Sequence, residues 1–282
     1  MIVGIINGYY RSGTTIFQRF TKLCEPSWIV LCEPTQHEII YHIMAQGWHN
    51  RNVLHGFKIF LGYAKLPRNV LRDFIARHIE VFGYSDKNYG IFVDPDDALY
   101  LLEPLHDCEE KIVIKSTQLS LVLDEVVNKL DCWCIHLERA TENTVFNHFP
   151  DLKAFLSFVD GYDKIIPFYG NLVYDRIVKT FDLNIDLSKP IEKLVFNVKF
   201  TNDYVKSFAN KTERLTIIDF DDFVRNVDKY VNKLPFNARL DIAKELFSID
   251  RLNFAPSIVK EIVDPIIRRL NYTVTFNTHK SD

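Results

Sequence analysis

The stretch Ile2-Val3-Gly4-Ile5-Ile6-Asn7-Gly8-Tyr9-Tyr10-Arg11-Ser12-Gly13-Thr14-Thr15 decides the reading of this chain. Its first half is a short β-branched run of the kind that forms a buried strand. Gly8 and Gly13 bracket the next segment and permit the backbone angles a tight loop needs. A helical pattern starts at Ile16. A strand, a glycine-bounded loop and a helix N-terminus together offer several backbone N–H groups to one anion. Thr14 and Thr15 add hydroxyl donors where the helix begins. The pattern G-x-x-x-x-G-T-T lacks the lysine of G-x-x-x-x-G-K-[ST], so an ATP or GTP enzyme would lose its contact to the β- and γ-phosphates. Arg11 supplies a cation inside the loop instead, two residues before Gly13.

Outward from this loop, four further aliphatic runs read as buried strands: Trp28–Cys32, Lys111–Ile114, Cys132–Leu137 and Leu215–Asp219. Helical periodicity lies between them. Over 67–82 the residues Leu71, Phe74, Ile75, His78, Ile79 and Phe82 recur at steps of three and four, with Pro67 in the first turn and Gly83 at the end. Helices are predicted at Leu152–Val159, at Ile191–Phe208, from about Asp221 to Leu234, and through 238–270, where Pro256 and Pro265 should start or kink segments. Strand–helix alternation of this kind predicts an α/β fold with a central parallel sheet of about five strands, covered on both faces. No repeat or Gly/Ser linker divides the chain. The expectation is one domain over 1–282, with a helical insertion at about 140–210 and a helical tail at about 235–275.

Bulk properties narrow the classes. A net charge of −3 lacks the basic excess that a duplex nucleic-acid partner demands. The N-terminal apolar run has no basic residues before it and no small-residue cleavage site after it, and no apolar stretch reaches the ~18 residues of a membrane span. A cytoplasmic location without a membrane span is expected. The five cysteines are odd in number, and Cys132 and Cys134 alternate within a strand run without a second ligand pair. They read as free buried thiols, and no metal is expected.

The segment Arg11-Ser12-Gly13-Thr14-Thr15 resembles the phosphosulfate loop of sulfotransferases, [KR]-S-G-[ST]-[ST], at every position. Further landmarks follow in the same order. Glu33-Pro34-Thr35-Gln36-His37 is similar to the E-P-x-x-H stretch of carbohydrate sulfotransferases. In related enzymes, tyrosylprotein sulfotransferases among them, a glutamate of this region takes the acceptor's proton. Lys115-Ser116-Thr117 resembles the K-T-H strand end of cytosolic members, with Thr117 where their histidine base stands. Ile135-His136-Leu137-Glu138-Arg139, with Asn147 eight residues after the arginine, resembles the 3′-phosphate signature, although the usual residue at 147 is serine. Leu215–Phe223 is similar to the strand and acidic turn before the family's C-terminal helix, where Asp221 and Asp222 read as helix-start charges. The likeness departs at Tyr10, where proline is usual, and at Ile16, where a tryptophan often stacks on adenine. The late R-K-G segment has no counterpart; Arg268 and Arg269 follow a different pattern.

This resemblance implies a three-layer P-loop-type fold and a metal-independent transfer of the sulfuryl group of 3′-phosphoadenosine-5′-phosphosulfate (product adenosine 3′,5′-bisphosphate) to a hydroxyl, on a small molecule or a glycan. It casts Glu33 as general base, with Arg11 and Lys115 assisting the transferring group. Arg11, Ser12, Gly13, Thr14, Thr15, Arg139 and Asn147 would hold the nucleotide, and His37 would touch the acceptor or orient Glu33. The acceptor pocket is expected largely from 36–100 and 151–210. Two rival readings stay open: a nucleotide kinase or NTPase with a degenerate loop, and a sulfotransferase-like binding protein without activity.

Overall fold

A computed structural model describes residues 1–40, 43, 53–54, 57–58, 60–83, 88–161, 166, 169–248, 253–270 and 272. Five parallel strands form the central sheet: β1 (Ile2–Asn7), β2 (Ile29–Cys32), β3 (Ile112–Lys115), β4 (Trp133–Glu138) and β5 (Leu215–Asp219). Their spatial order is β2-β3-β1-β4-β5. All five lie within a residue or so of the apolar runs that predict them.

Alternation along each strand splits the apolar side chains between the two faces of the sheet. Ile5, Leu31, Ile112, Ile114 and Cys134 point into one cluster, which also takes Phe74, Leu101, Val126 and Phe200 from helices. Ile6, Val30, Val113, Ile135 and Leu137 point into the other, with Phe17, Phe20, Phe223 and Phe247. Both faces are therefore covered, as an all-parallel sheet requires. The result is a three-layer α/β fold. Gly4 is needed inside β1 because it pairs with Trp133, whose indole lies 2.1–2.5 Å from where a β-carbon would stand.

The helices are α1 (Thr14–Cys24), α2 (Arg68–Phe82), α3 (Pro95–His106), α4 (Leu123–Lys129), α5 (Thr141–Phe146), α6 (Leu152–Val159), α7 (Gly170–Thr180), α8 (Pro190–Ala209), α9 (Phe220–Arg225), α10 (Val227–Tyr230), α11 (Leu240–Leu246) and α12 (Ser257–Arg269). A two-residue antiparallel ladder pairs Val53–Leu54 with Phe57–Lys58. The expected insertion at 140–210 contains α5 to α8. α5, α6 and α8 build a third apolar cluster in which Val145, Phe155, Phe158 and Leu194 meet Tyr9, Tyr10 and Val259, while α7 packs Val173, Tyr174 and Ile177 into the first cluster.

One expectation needs correction. The single helix from Asp221 to Leu234 is broken at Asn226, whose φ of −132° and ψ of 46° leave helical space, into α9, α10 and a 3₁₀ turn at Val231–Lys233. Pro256 stands just before α12, where a proline starts a segment, and Pro265 lies inside that helix. Residues 249–252, 271 and 273–275 of the predicted tail lie outside the described residues, as do 41–42, 44–52, 55–56, 59 and 84–87 of the segment expected to help form the acceptor pocket.

The strand order fixes where a ligand can sit. From β1 the chain passes to β2 and β3 on one side, then crosses to β4 and β5 on the other. In open α/β sheets, ligands bind beyond the carboxyl ends of the strands at such a reversal. The loop that follows β1 is at that point.

Candidate active site at the carboxyl end of the sheet

The loop from Gly8 to Thr15 turns through three left-handed residues: Gly8 (φ 152°), Arg11 (φ 69°) and Gly13 (φ 98°). A β-carbon on Gly8 would meet Ser12 Oγ at 2.4 Å and the Leu137 carbonyl oxygen at 2.5 Å. One on Gly13 would meet the Phe220 ring at 2.5–2.7 Å. Both glycines are thus required by backbone angle and by close approach. Ser12 N–H donates to the Tyr9 carbonyl at 3.1 Å and tightens the turn. Gly13 caps α1 with no side-chain bond, and the first turn carries no acidic residue. The opening amides of a helix have no intrahelical partner and carry the positive end of its dipole. The Ser12 hydroxyl is buried without a hydrogen-bond partner among the described residues. A buried hydroxyl beside unpaired amides is suited to an anion's oxygen.

Charged groups from the neighbouring strand ends stand next to this loop. Register places Lys115 opposite Ile6 of β1 on one side and Cys32 of β2 on the other, so Glu33 follows directly beside it. Lys115 donates to Glu33 Oε1 in an ion pair with side chains only 7% and 6% exposed. Thr117 completes the hold: its N–H donates to Glu33 Oε2 at 2.9 Å and its hydroxyl to Oε1 at 2.9 Å. Burial alone would lower the Lys115 pKa, but the Glu33 carboxylate outweighs it and the net shift is upward; the Arg11 charge opposes that shift. Lys115 is therefore an ammonium at neutral pH. Tyr10 packs here too, its hydroxyl accepting from Gln118 Nε2 at 3.1 Å. Burial and then the Glu33 charge push the Tyr10 phenol well above its ordinary range, so it stays protonated.

Glu33 itself has a left-handed backbone, φ 50°. Its N–H donates to the Lys115 carbonyl at 2.6 Å, and its own carbonyl accepts from Gln36 N–H at 3.0 Å. Such strain in a non-glycine residue persists only where neighbours over-determine the conformation.

Beneath these charges lies a buried polar web. Asn7 Nδ2 donates to the Ser116 carbonyl at 2.8 Å, and Asn7 Oδ1 accepts from Ser120 Oγ at 3.0 Å and meets His136 Nδ1 at 2.7 Å. The Thr35 and Ser116 hydroxyls are 2.6 Å apart. Burial pushes the His136 pKa down to about 4, so the ring is neutral. The web joins the carboxyl ends of β1, β3 and β4 and steadies the ground on which Glu33 and Lys115 stand.

Sequence places Arg11, Glu33 and Lys115 in one site, and the structure brings them together. It places His37, Arg139 and Asn147 differently. The His37 ring stacks on Tyr89 with centroids 4.0 Å apart, its Nε2 is 3.3 Å from the Tyr169 hydroxyl, and its Nδ1 is 3.1 Å from Glu38. Tyr169 donates in turn to Glu38 Oε1. The imidazole is held by Glu38, Tyr89 and Tyr169 and not by Glu33, so it does not orient the expected base.

Arg139 Nε donates to Asp221 Oδ1 at 2.8 Å and Nη2 to the Asn253 carbonyl at 3.0 Å. Asn147 Nδ2 donates to the carbonyls of Asn143 at 2.6 Å and Asn253 at 3.0 Å. The two residues do converge, but on a carbonyl of the segment leading into α12. These bonds use two of the five N–H donors of the Arg139 guanidinium, so a 3′-phosphate at this point would share the group with Asp221 and Asn253. Asp221 and Asp222 lie in the first turn of α9 as expected, and Asp221 is in addition the buried counterion of Arg139; Asp219 caps α9 by accepting from Asp222 N–H at 3.0 Å.

Thr117 and Asp221 are the residues sequence reasoning undervalued. Thr117 lies two residues past Lys115, in the bend that follows β3, and its contact with Glu33 depends on the neighbouring end of β2, which no local pattern displays.

No family model matches the chain. A protein of Archaeoglobus fulgidus, described only as uncharacterized, is 29% identical to it over 141 residues, which is 49% of this chain and 45% of that protein. The chain thus spans about half the length of this relative.

Proposed function

We propose that the chain transfers the sulfuryl group of 3′-phosphoadenosine-5′-phosphosulfate to an acceptor hydroxyl, on a small molecule or a glycan. The observation that carries this reading is the meeting of the Gly8–Thr15 loop with Lys115 and Glu33 at the end of the central strands. A mobile anionic group seated on the loop amides would face two cations, Arg11 and Lys115, and one carboxylate. Cations so placed stabilise charge that develops on the bridging oxygen and the leaving 5′-phosphate. Glu33 is the carboxylate that accepts the acceptor's proton. Lys115 has to exchange its contact with Glu33 for one with the donor, which ties release of the base to arrival of the donor. The nucleotide identity rests on the likeness of Arg11-Ser12-Gly13-Thr14-Thr15 to phosphosulfate loops.

Thermal unfolding tests the reading. A ligand that binds only the folded chain stabilises it by about 2.7 kcal/mol at one hundred times its Kd. Adenosine 3′,5′-bisphosphate should raise the Tm without metal, and more than adenosine 5′-phosphate does. Stabilisation by ATP with Mg²⁺ alone would turn the assignment toward a nucleotide kinase or NTPase.

A second reading, a nucleotide-binding protein that transfers nothing, has a specific observation in its favour. The Glu33 carboxylate, the expected base, is paired with Lys115 and held by both Thr117 donors. Bisphosphate binding with no transfer to any hydroxyl from a panel of sugars, steroids and phenols would select it.

A further inference from the structure

Glu33 receives three side-chain and backbone donors, and they are not shared evenly between its oxygens. Oε1 takes both the Lys115 ammonium and the Thr117 hydroxyl, while among the described residues Oε2 takes only the Thr117 N–H. A carboxylate oxygen offers about two lone-pair directions. Oε1 is thereby filled and Oε2 keeps one direction open. The two bonds from Thr117 also form a fork that fixes the rotation of the carboxylate about its last bond. The backbone of Glu33 is strained, at φ 50°, and is pinned to the Lys115 carbonyl, so the whole residue is held on both sides.

From this geometry we infer that Thr117 is a positioning residue, which presents Glu33 Oε2 as the atom that accepts the acceptor's proton. The inference rests on the sulfuryl-transfer reading above. In that reaction the acceptor O–H bond breaks and its proton goes to Oε2. The acceptor oxygen forms a bond to sulfur while the bond from sulfur to the 5′-phosphate oxygen breaks, and adenosine 3′,5′-bisphosphate leaves with that electron pair. The role of Thr117 is to keep the receiving lone pair fixed while Lys115 moves to the donor. When Lys115 departs, the Thr117 hydroxyl is the side-chain donor left on Oε1, and without it the carboxylate can rotate.

The test compares Thr117→Val, which removes the hydroxyl but keeps the N–H, with Thr117→Ser, which restores a hydroxyl. Misplacing a reacting group by about 1 Å can cost on the order of 100-fold in rate. Thr117→Val should lower kcat by roughly 10- to 100-fold, with adenosine 3′,5′-bisphosphate binding within about twofold of wild type. Thr117→Ser should recover most of the lost rate. The infrared carboxylate band of Glu33, isolated by difference against Glu33→Gln, should move in Thr117→Val and return in Thr117→Ser, a signature that simple loss of packing does not give. A wild-type chain that transfers sulfuryl groups while Thr117→Val is unimpaired, or whose Thr117→Ser form is as slow as Thr117→Val, overturns the inference alone. A wild-type chain that binds the bisphosphate and transfers nothing overturns the sulfuryl-transfer reading, and this role with it.

Discussion

Arg139 Nε and Asp221 Oδ1 lie 2.8 Å apart, in an ion pair whose side chains are 5% and 8% exposed. The pair ties the end of β4 to the first turn of α9. Asp221 Oδ2 also accepts from Asn143 Nδ2 at 2.8 Å, and Asn143 Oδ1 accepts from Ala255 N–H at 2.9 Å. The start of the helical insertion, the last strand's helix and the approach to α12 are thus fastened at one point. Removing one partner of a buried pair leaves an uncompensated charge and costs about 3–5 kcal/mol, whereas replacing both with apolar residues is often close to neutral. Asp221→Ala should therefore destabilise the fold by about that amount in urea unfolding, and Arg139→Met with Asp221→Leu by much less. Equal losses in the single and double variants would contradict this account.

The same pair marks the limit of what the sequence displays. Its partners are 82 positions apart, and Thr117 is 84 from Glu33. Strands, the glycine loop and the α2 stripe are legible because each depends on residues close in sequence. Arg139 and Asn147 show the opposite case: their spacing is local, but their partner Asn253 is more than a hundred residues away. α3 carries an ordinary start signal in the sequence, Asp94 followed by Pro95, and in the structure Asp94 accepts from Asp96 N–H at 3.0 Å.

Two buried histidines, together with His148, which burial also pushes down to about 4, predict a pH dependence of stability. Burial pushes His78 and His136 down to about 4 from an ordinary value of 6.5, against the pull of a hydrogen bond to the Gln36 carbonyl for His78 and to Asn202 for His136. Between about 4 and 6.5 the unfolded chain binds a proton on each that the folded chain refuses, so stability falls as pH drops through this window. It is fully present above the unfolded value, and the histidine contribution stops changing below about 4. One such group gives a slope of up to about 1.4 kcal/mol per pH unit. Unfolding measured from pH 7 to 4.5 should show this fall, with a shallower slope in His136→Gln. An unchanged slope in that variant would remove His136 from the explanation.

Gly13 and Gly161 form a matched pair. Both have positive φ, 98° and 82°, but a β-carbon on Gly13 would strike the Phe220 ring, whereas none of the described residues lies within 4 Å of one on Gly161. Gly161→Ala should lose about 1 kcal/mol of stability, from backbone strain alone. Gly13→Ala adds an overpacking cost of about 1–3 kcal/mol and moves the loop. Bisphosphate binding should suffer in Gly13→Ala and persist in Gly161→Ala. Comparable losses of both stability and binding in the two variants would mean that the Phe220 contact does not set the loop.

Arg11 and Glu33 should separate binding from turnover. Arg11 is exposed on the loop and its charge reaches Lys115, so under the proposed reaction it would act on the anion both before and during transfer. Arg11→Ala should weaken bisphosphate binding and slow transfer together. Glu33 is a carboxylate and does not help to bind an anion. Glu33→Gln keeps the shape of the side chain, and it frees Lys115 from its carboxylate partner. Bisphosphate affinity should hold or rise in Glu33→Gln, because one negative charge leaves the neighbourhood of the phosphate. Transfer should fall by about 10²–10⁴-fold, the range a positioned general base contributes. Calorimetric binding and single-turnover transfer on the same preparations read the two effects separately. Normal turnover in Glu33→Gln would take the base away from Glu33, and lower bisphosphate affinity in the same variant would place the carboxylate's role in the ion pair with Lys115.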